Sequence, residues 1–288
     1  MKSQDSNACF NAKWQKWLLL FAFCLLSVSL FGNGQPVRLK YVSRSAGVGT
    51  VGVFDSYLSP LKYRGLNFGF MYEAMQMLKW NDGKISFQQQ YFTDVSQTLN
   101  GTETAYNLTL FSEADYAFHY RFDLTENFQV FAGTQAGIFI GGIYNSRNQN
   151  NPISLKMNLN LGVSGIAAYR LMLKSQPVRF RYQLGFPAIR MLFAPQFGQS
   201  YYYLDGNENI FFASSFRNHS ALKNILSVEL PLNRITLRAT YVHSFYRTKI
   251  NHLLTQYYSN TFYAGISKNF YSVRAGKKEN RNQATVFK

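Results

Sequence analysis

The chain is nearly without cysteine and poor in acid. Its 288 residues hold two cysteines, and 14 Asp and Glu stand against 30 Lys and Arg. Cys9 precedes, and Cys24 lies inside, an apolar run from Trp17 to Phe31. Lys13 and Lys16 stand before that run and Gly32, Asn33 and Gly34 after it, the charged, apolar, small-residue order of a secretory signal. The run is roughly 15 residues, short of the about 20 that a spanning helix needs. Cleavage is expected after Gly34, with Ser29 as an alternative, so that Gln35 begins the exported chain. That chain has no cysteine, which excludes disulfides, thiol nucleophiles and cysteine metal sites. The formal charge is +16, and losing Lys2, Lys13, Lys16 and Asp5 with the signal leaves an excess of about +14. Such a balance suits nucleic acid or an anionic surface. Export argues against nucleic acid and for the phosphates of outer-leaflet lipid or of phospholipid head groups.

Beyond residue 34 no run is apolar enough for a transmembrane helix. Hydrophobic residues make up 47% of the chain, and mean hydropathy is -0.19. A barrel hides its membrane character in this way, because its strands alternate apolar and polar residues. Aromatics are abundant: 17%, with 20 Tyr and 26 Phe, a surplus that belts at two membrane interfaces would use. From Ile153 to Leu171, Leu155, Met157, Leu159, Leu161 and Val163 share one face, while Lys156, Asn158, Asn160, Ser164 and Arg170 share the other. Val178, Phe180, Tyr182 and Leu184 alternate with Arg179, Arg181 and Gln183, and residues 106–121 repeat the pattern. A period of two is a strand signal. Lys or Arg facing lipid at mid-membrane costs roughly 2–4 kcal/mol, which turns the charged face inward and the aromatic and aliphatic face outward.

Strands are expected at 47–57, 65–79, 84–93, 104–122, 128–144, 153–172, 177–191, 217–230, 234–248 and 257–272. Short connections (80–83, 123–127, 173–176, 231–233) alternate with longer ones (58–64, 94–103, 145–152, 192–216, 249–256). Asn81-Asp82-Gly83 suits the positive φ of a tight turn. Alternating loop length around an even strand number predicts an all-β, up-and-down antiparallel transmembrane β-barrel of about ten strands. It spans residues 35–273, between a signal peptide at 1–34 and a basic tail at 274–288. A Greek-key sandwich would scramble the loop order. Trp80 falls at a short turn, and Tyr144, Tyr257 and Tyr258 near the other rim, where aromatic belts lie.

The segment from Tyr57 to Phe70, with Leu58-Ser59-Pro60-Leu61, Tyr63 and Gly65, resembles the opening of a family of small exported proteins of Bacteroidota, domain of unknown function 3316. The stretch Asn251–Ser267 is similar to that family's last loop and strand. The resemblance covers most of the exported chain. It implies residence in the bacterial outer membrane and supplies no activity. Phe270 and Tyr271 fit the aromatic that ends such barrels, but the basic tail that follows departs from the pattern.

Inside a barrel of this size side chains largely fill the lumen. Glu73, Glu113, Asp115, Lys156, Arg170, Arg179, Arg181 and Arg238 are expected to point inward, as is Lys268, either as paired charges or as a polar conduit for a small anion. Lys62, Arg64, Arg147, Arg190, Arg217, Arg247 and Lys249 are expected at the outer rim, where they would pair with lipopolysaccharide phosphates. The barrel-assembly machinery is a further expected partner. A His219–Asp205 pair with Ser220 is the one arrangement that would suit a hydrolase or acyltransferase. His219, His243 and His252 lack metal-site spacing, and no glycine run opens a helix, so no metal or cofactor is expected. The aromatic segments Tyr201–Tyr203 and Phe211-Phe212 suit a partner surface or a lid. The expected function is a non-enzymatic structural, surface-interaction or narrow small-solute transport barrel. The alternatives are an enzyme at the rim and a soluble periplasmic ligand-binding β-protein.

Overall fold

The computed structural model describes residues 38–173, 176–194, 211–214, 219–232 and 235–272. They form eleven strands: β1 (Arg38–Asp55), β2 (Lys62–Met77), β3 (Ile85–Asn100), β4 (Tyr106–Asp123), β5 (Phe128–Asn145), β6 (Ile153–Leu173), β7 (Gln176–Phe193), β8 (Phe211–Ser214), β9 (His219–Pro231), β10 (Thr236–Ile250) and β11 (Leu253–Ser272). Apart from β8 and β9, neighbours in sequence pair antiparallel, and β1 lies beside β11, which closes the sheet. β8 and β9 pair with successive stretches of β7, Arg190–Phe193 and Arg179–Gly185. They share one position, so the closed barrel has ten staves. β6 runs for 21 residues and β11 for 20, far beyond the usual 5–6 or so.

The faces follow from the alternation. Along β2, Leu66, Phe68 and Phe70 point outward and are exposed, at 61%, 60% and 48%, whereas Asn67 and Glu73 point inward and are fully buried. The same inversion recurs around the barrel: Leu110, Ile140, Val163, Leu226 and Phe262 are bare outside, and Gln88, Thr109, Asn160, Gln183 and Thr261 are enclosed. Arg64 and Gln76 bracket the outward residues of β2 from Leu66 to Ala74. At about 3.3 Å per residue and a tilt near 40°, they lie roughly 30 Å apart along the axis, enough for the ~25 Å apolar band of a membrane barrel.

The expectation that aromatics face outward holds only in part. Tyr41, Tyr63, Phe131 and Tyr263 are buried in the lumen, as is Tyr257, which therefore leaves the rim belt. Inside a narrow barrel a ring fills space that water would otherwise occupy, so bulk decides as much as polarity. Lys268 corrects the expectation in the other direction: it points outward and is exposed.

The connections differ from the sequence-based expectation. At the lower end, with Arg38 and Ser272, they comprise, among the described residues, 78–84 and 124–127. At the upper end they comprise, among the described residues, 56–61, 101–105, 146–152 and 251–252. Strict short–long alternation is absent, because β2, β3, β10 and β11 continue into segments expected as loops. The β10–β11 link is a two-residue turn with positive φ at Asn251 (51°) and His252 (61°), a turn whose twist matches the strands. Asn81, Asp82 and Gly83 also take positive φ, as their chemistry predicts. At the upper ends, side chains cap the turns: Asn145 Oδ1 accepts from the Arg147 and Asn148 amides, and Asp55 Oδ1 from Tyr57. Pro187, which has no amide to donate, sits at the one register shift of the β6–β7 ladder. The expected signal peptide and basic tail lie outside the described residues.

Candidate functional site

The lumen is filled in layers. Lowest lies an apolar cluster of Met75, Met77, Phe131, Ile166 and Ala168, against which Tyr41 packs. Above it Glu73 on β2 is clamped between two guanidiniums, Arg181 of β7 and Arg238 of β10, the latter at 2.6 Å. Glu229 on β9 is the second anion of this layer, 3.8 Å from Arg238 Nε and 3.9 Å from Arg179. Tyr41 bridges them: Arg238 Nη1 donates to its oxygen at 3.0 Å, and its hydroxyl donates to Glu229. Gln88 donates to Glu73 at 2.6 Å, and Gln88, Gln90 and Gln183 exchange amide hydrogen bonds of 3.0–3.1 Å across the lumen. In this polar layer every side chain but Arg179 is buried to 4% exposure or less. Buried ions are tolerable only when paired and bonded in this way.

The upper layer is organised by Lys223 of β9. Its ammonium lies 2.5 Å from Glu113 and 2.9 Å from Asp115, both on β4, and 4.1 Å from the Phe92 ring centroid. Asp94 on β3 accepts from Asn67 at 3.0 Å and from the Tyr263 hydroxyl at 3.3 Å. Arg190 of β7 lays its guanidinium 4.8 Å from the Tyr246 ring centroid. Phe111, Tyr257, Ile143, Val51 and Val53 pack above, joined by Tyr57 and Leu58 from the β1–β2 turn. Higher still, Lys156 pairs with Asp55 at 2.8 Å.

Apart from the outward Lys268, seven of the eight expected inward charges thus lie in these pairs. Arg170 is the exception: it sits at the lower end and donates to Asn127 Oδ1 at 3.0 Å, because β6 has climbed out of the lumen there. The partners Asp55, Lys223 and Glu229 went unnoticed in the sequence, although the parity of Ala221, Ile225 and Ser227 places Lys223 and Glu229 inward. Asp94 was missed because β3 was expected to end before it.

At the upper rim, Lys62 and Arg64 of β2, and Arg247 and Lys249 of β10, are exposed and point outward; Arg147 is exposed in the β5–β6 turn. Gly52 of β1 pairs with Arg64, and the Tyr258 ring of β11 covers it so closely that an added Cβ would lie 2.0 Å from Cζ. The sheet order β2-β1-β11-β10 sets the two basic pairs roughly 14 Å apart, three strand spacings. Arg190 is no rim residue: it faces inward and is 6% exposed. Arg217 lies outside the described residues. So do Asp205 and Tyr201–Tyr203.

Among the described residues, His219 and Ser220 of the hydrolase arrangement lie on opposite faces of β9. His219 is buried, with Nδ1 3.2 Å from Ser214 Oγ and Nε2 3.3 Å from the Pro187 carbonyl. Ser220, its neighbour on the strand, points to the opposite, outer face. His243 is outward and bonds Asn260 at 2.8 Å, and His252 sits in the β10–β11 turn.

A family model described as protein of unknown function (DUF3316) matches residues 18–278. No curated protein matches the chain. Among solved structures, the outer membrane protease OmpT of Escherichia coli is similar at 10% identity and a TM-score of 0.43, over 81% of this chain and 97% of that one. The transport unit of the E. coli autotransporter AIDA-I is similar at 9% identity and 0.42, over 84% and 92%. The translocator domain of the Neisseria meningitidis autotransporter NalP gives 12% and 0.37, over 92% and 98%. Likeness at this level carries no inference about activity.

Proposed function

Because the chain belongs to the DUF3316 family, which brings no activity with it, we propose from the barrel's own construction that it is a non-enzymatic protein of the bacterial outer membrane that works through its outer surface. One observation carries this reading: the apolar face is outside and the charged face inside. A soluble protein rarely exposes contiguous apolar area beyond a few hundred Å2. Here outward Leu, Val, Ile and Phe surround the whole barrel. A soluble ligand-binding β-protein would need those faces covered.

The layered lumen supports a closed barrel over the narrow-transport reading. Glu73, Arg181 and Arg238 are at most 4% exposed, with apolar clusters below and above them. The outer surface then carries the role, structural or interactive. At its upper rim Lys62, Arg64, Arg247 and Lys249 sit over an apolar wall that includes Val48, Leu66, Phe68 and Phe262. Cations at that boundary meet the phosphates of outer-leaflet lipid, and arginine's planar fork suits them. Insertion would depend on the barrel-assembly machinery. Reconstitution into planar bilayers tests the reading: no unitary conductance is expected, and stable steps of current would replace it with transport.

A further inference from the structure

The pairing in the upper layer is incomplete on two sides of one cavity. Lys223 neutralises Glu113 and Asp115, but Arg190 and Asp94 have no counter-ion within ion-pair distance among the described residues. Arg190 Nε and Nη1 are buried without a hydrogen-bond partner. Asp94 accepts both of its hydrogen bonds at Oδ1, leaving Oδ2 without one. Both residues line a cavity of about 60 Å3 in the upper lumen. They reach it from β3 and β7, four strands apart around the barrel. Its other walls include Phe111, Phe139, Tyr246 and Tyr257. By the same measure one water needs roughly 10–15 Å3, so the space suits a molecule of on the order of five heavy atoms.

A buried guanidinium and a half-buried carboxylate on two walls of one cavity are costly when it is empty and are both satisfied by a molecule bearing both charges. A lone anion would add to the local acid excess, Asp94, Glu113 and Asp115 against Arg190 and Lys223. A lone cation would leave Arg190 unpaired. We propose that this cavity is a binding site for a small zwitterion of the α-amino-acid class, with its carboxylate on the Arg190 fork and its ammonium on Asp94. Aromatic rings around the ammonium add cation–π attraction. Tyr246 also lines a smaller cavity of about 30 Å3 nearer the upper turns, beside Lys156 and Thr255. The site is independent of the rim and its lipid.

Calorimetric titration of the full chain, folded in uncharged maltoside micelles, tests this with glycine, L-alanine, acetate and methylammonium. Glycine or alanine should bind at least tenfold tighter than either single ion. D94N should lose the amino acid at least tenfold and shift the preference toward acetate. R190Q should lose it equally and shift the preference toward methylammonium. A heat-modifiable band shows that each variant is folded, and if R190Q fails to fold, the D94N arm decides alone. A wild type that binds no amino acid at millimolar concentration, or that binds acetate as tightly as alanine, overturns the proposal. So does a folded D94N with unchanged selectivity.

Discussion

Replacing Glu73 by Gln keeps the volume of the lower layer and removes its central charge. Glu73 accepts from Arg181, from Arg238 Nη1 at 2.6 Å and from Gln88 at 2.6 Å, with no solvent exposure. Each hydrogen bond to a charged group contributes about 1.5–3 kcal/mol, and breaking a buried pair by removing one partner costs about 3–5 kcal/mol. Two contacts soften the loss: Glu229 remains 3.8 Å from Arg238, and Gln183 still accepts from Arg181 at 2.8 Å. The expected destabilisation is therefore about 3–4 kcal/mol. Urea unfolding of the barrel from lipid vesicles reads it as a lower midpoint with an unchanged slope. Replacing the trio together by Leu, Met and Met should recover most of the loss, since apolar packing often equals a buried ion network. A loss below about 1 kcal/mol would mean that Glu73 is hydrated, and the sealed-lumen reasoning would fall.

Leu110→Arg should destabilise by roughly 2–4 kcal/mol if its face meets lipid, whereas an exposed site on a soluble protein would stay within about 0.5 kcal/mol; vesicle unfolding distinguishes the two. Arg64→Ala with Arg247→Ala should lower the lipid A that co-purifies, measured by mass spectrometry, without moving the unfolding midpoint by more than about 1 kcal/mol. His252→Val should cost about 1–3 kcal/mol, because a β-branched residue resists the positive φ that His252 adopts, while His252→Gly should not destabilise.

Much of this fold could be read from the sequence because period two assigns a face to every residue of a long strand. Ile153 to Leu171 revealed β6 within two residues at either end, and the outward and inward sets of β4 and β7 followed. Face alone does not give depth, partner or strand end. Lys223 meets Glu113 and Asp115 from across the lumen, a contact that depends on barrel closure. Arg190 was placed at the rim because a loop was expected to begin at residue 192. Its strand continues to Phe193, and its side chain turns inward beside Tyr246. The Asn251-His252 turn escaped notice because it lacks the glycine that usually marks a two-residue hairpin. The Tyr57–Leu58 segment, expected as a strand end and the start of a loop, packs into the upper aromatic layer, and Asn145 donates to the nearby Tyr63 hydroxyl at 2.9 Å.

The most direct test is an unboiled gel of fractionated membranes from the native host. A folded band confined to the outer-membrane fraction, resistant to salt and detergent and shifting on boiling, is the predicted result. A salt-extracted protein with no shift would mean that the apolar faces meet protein rather than lipid, and would contradict the barrel's placement.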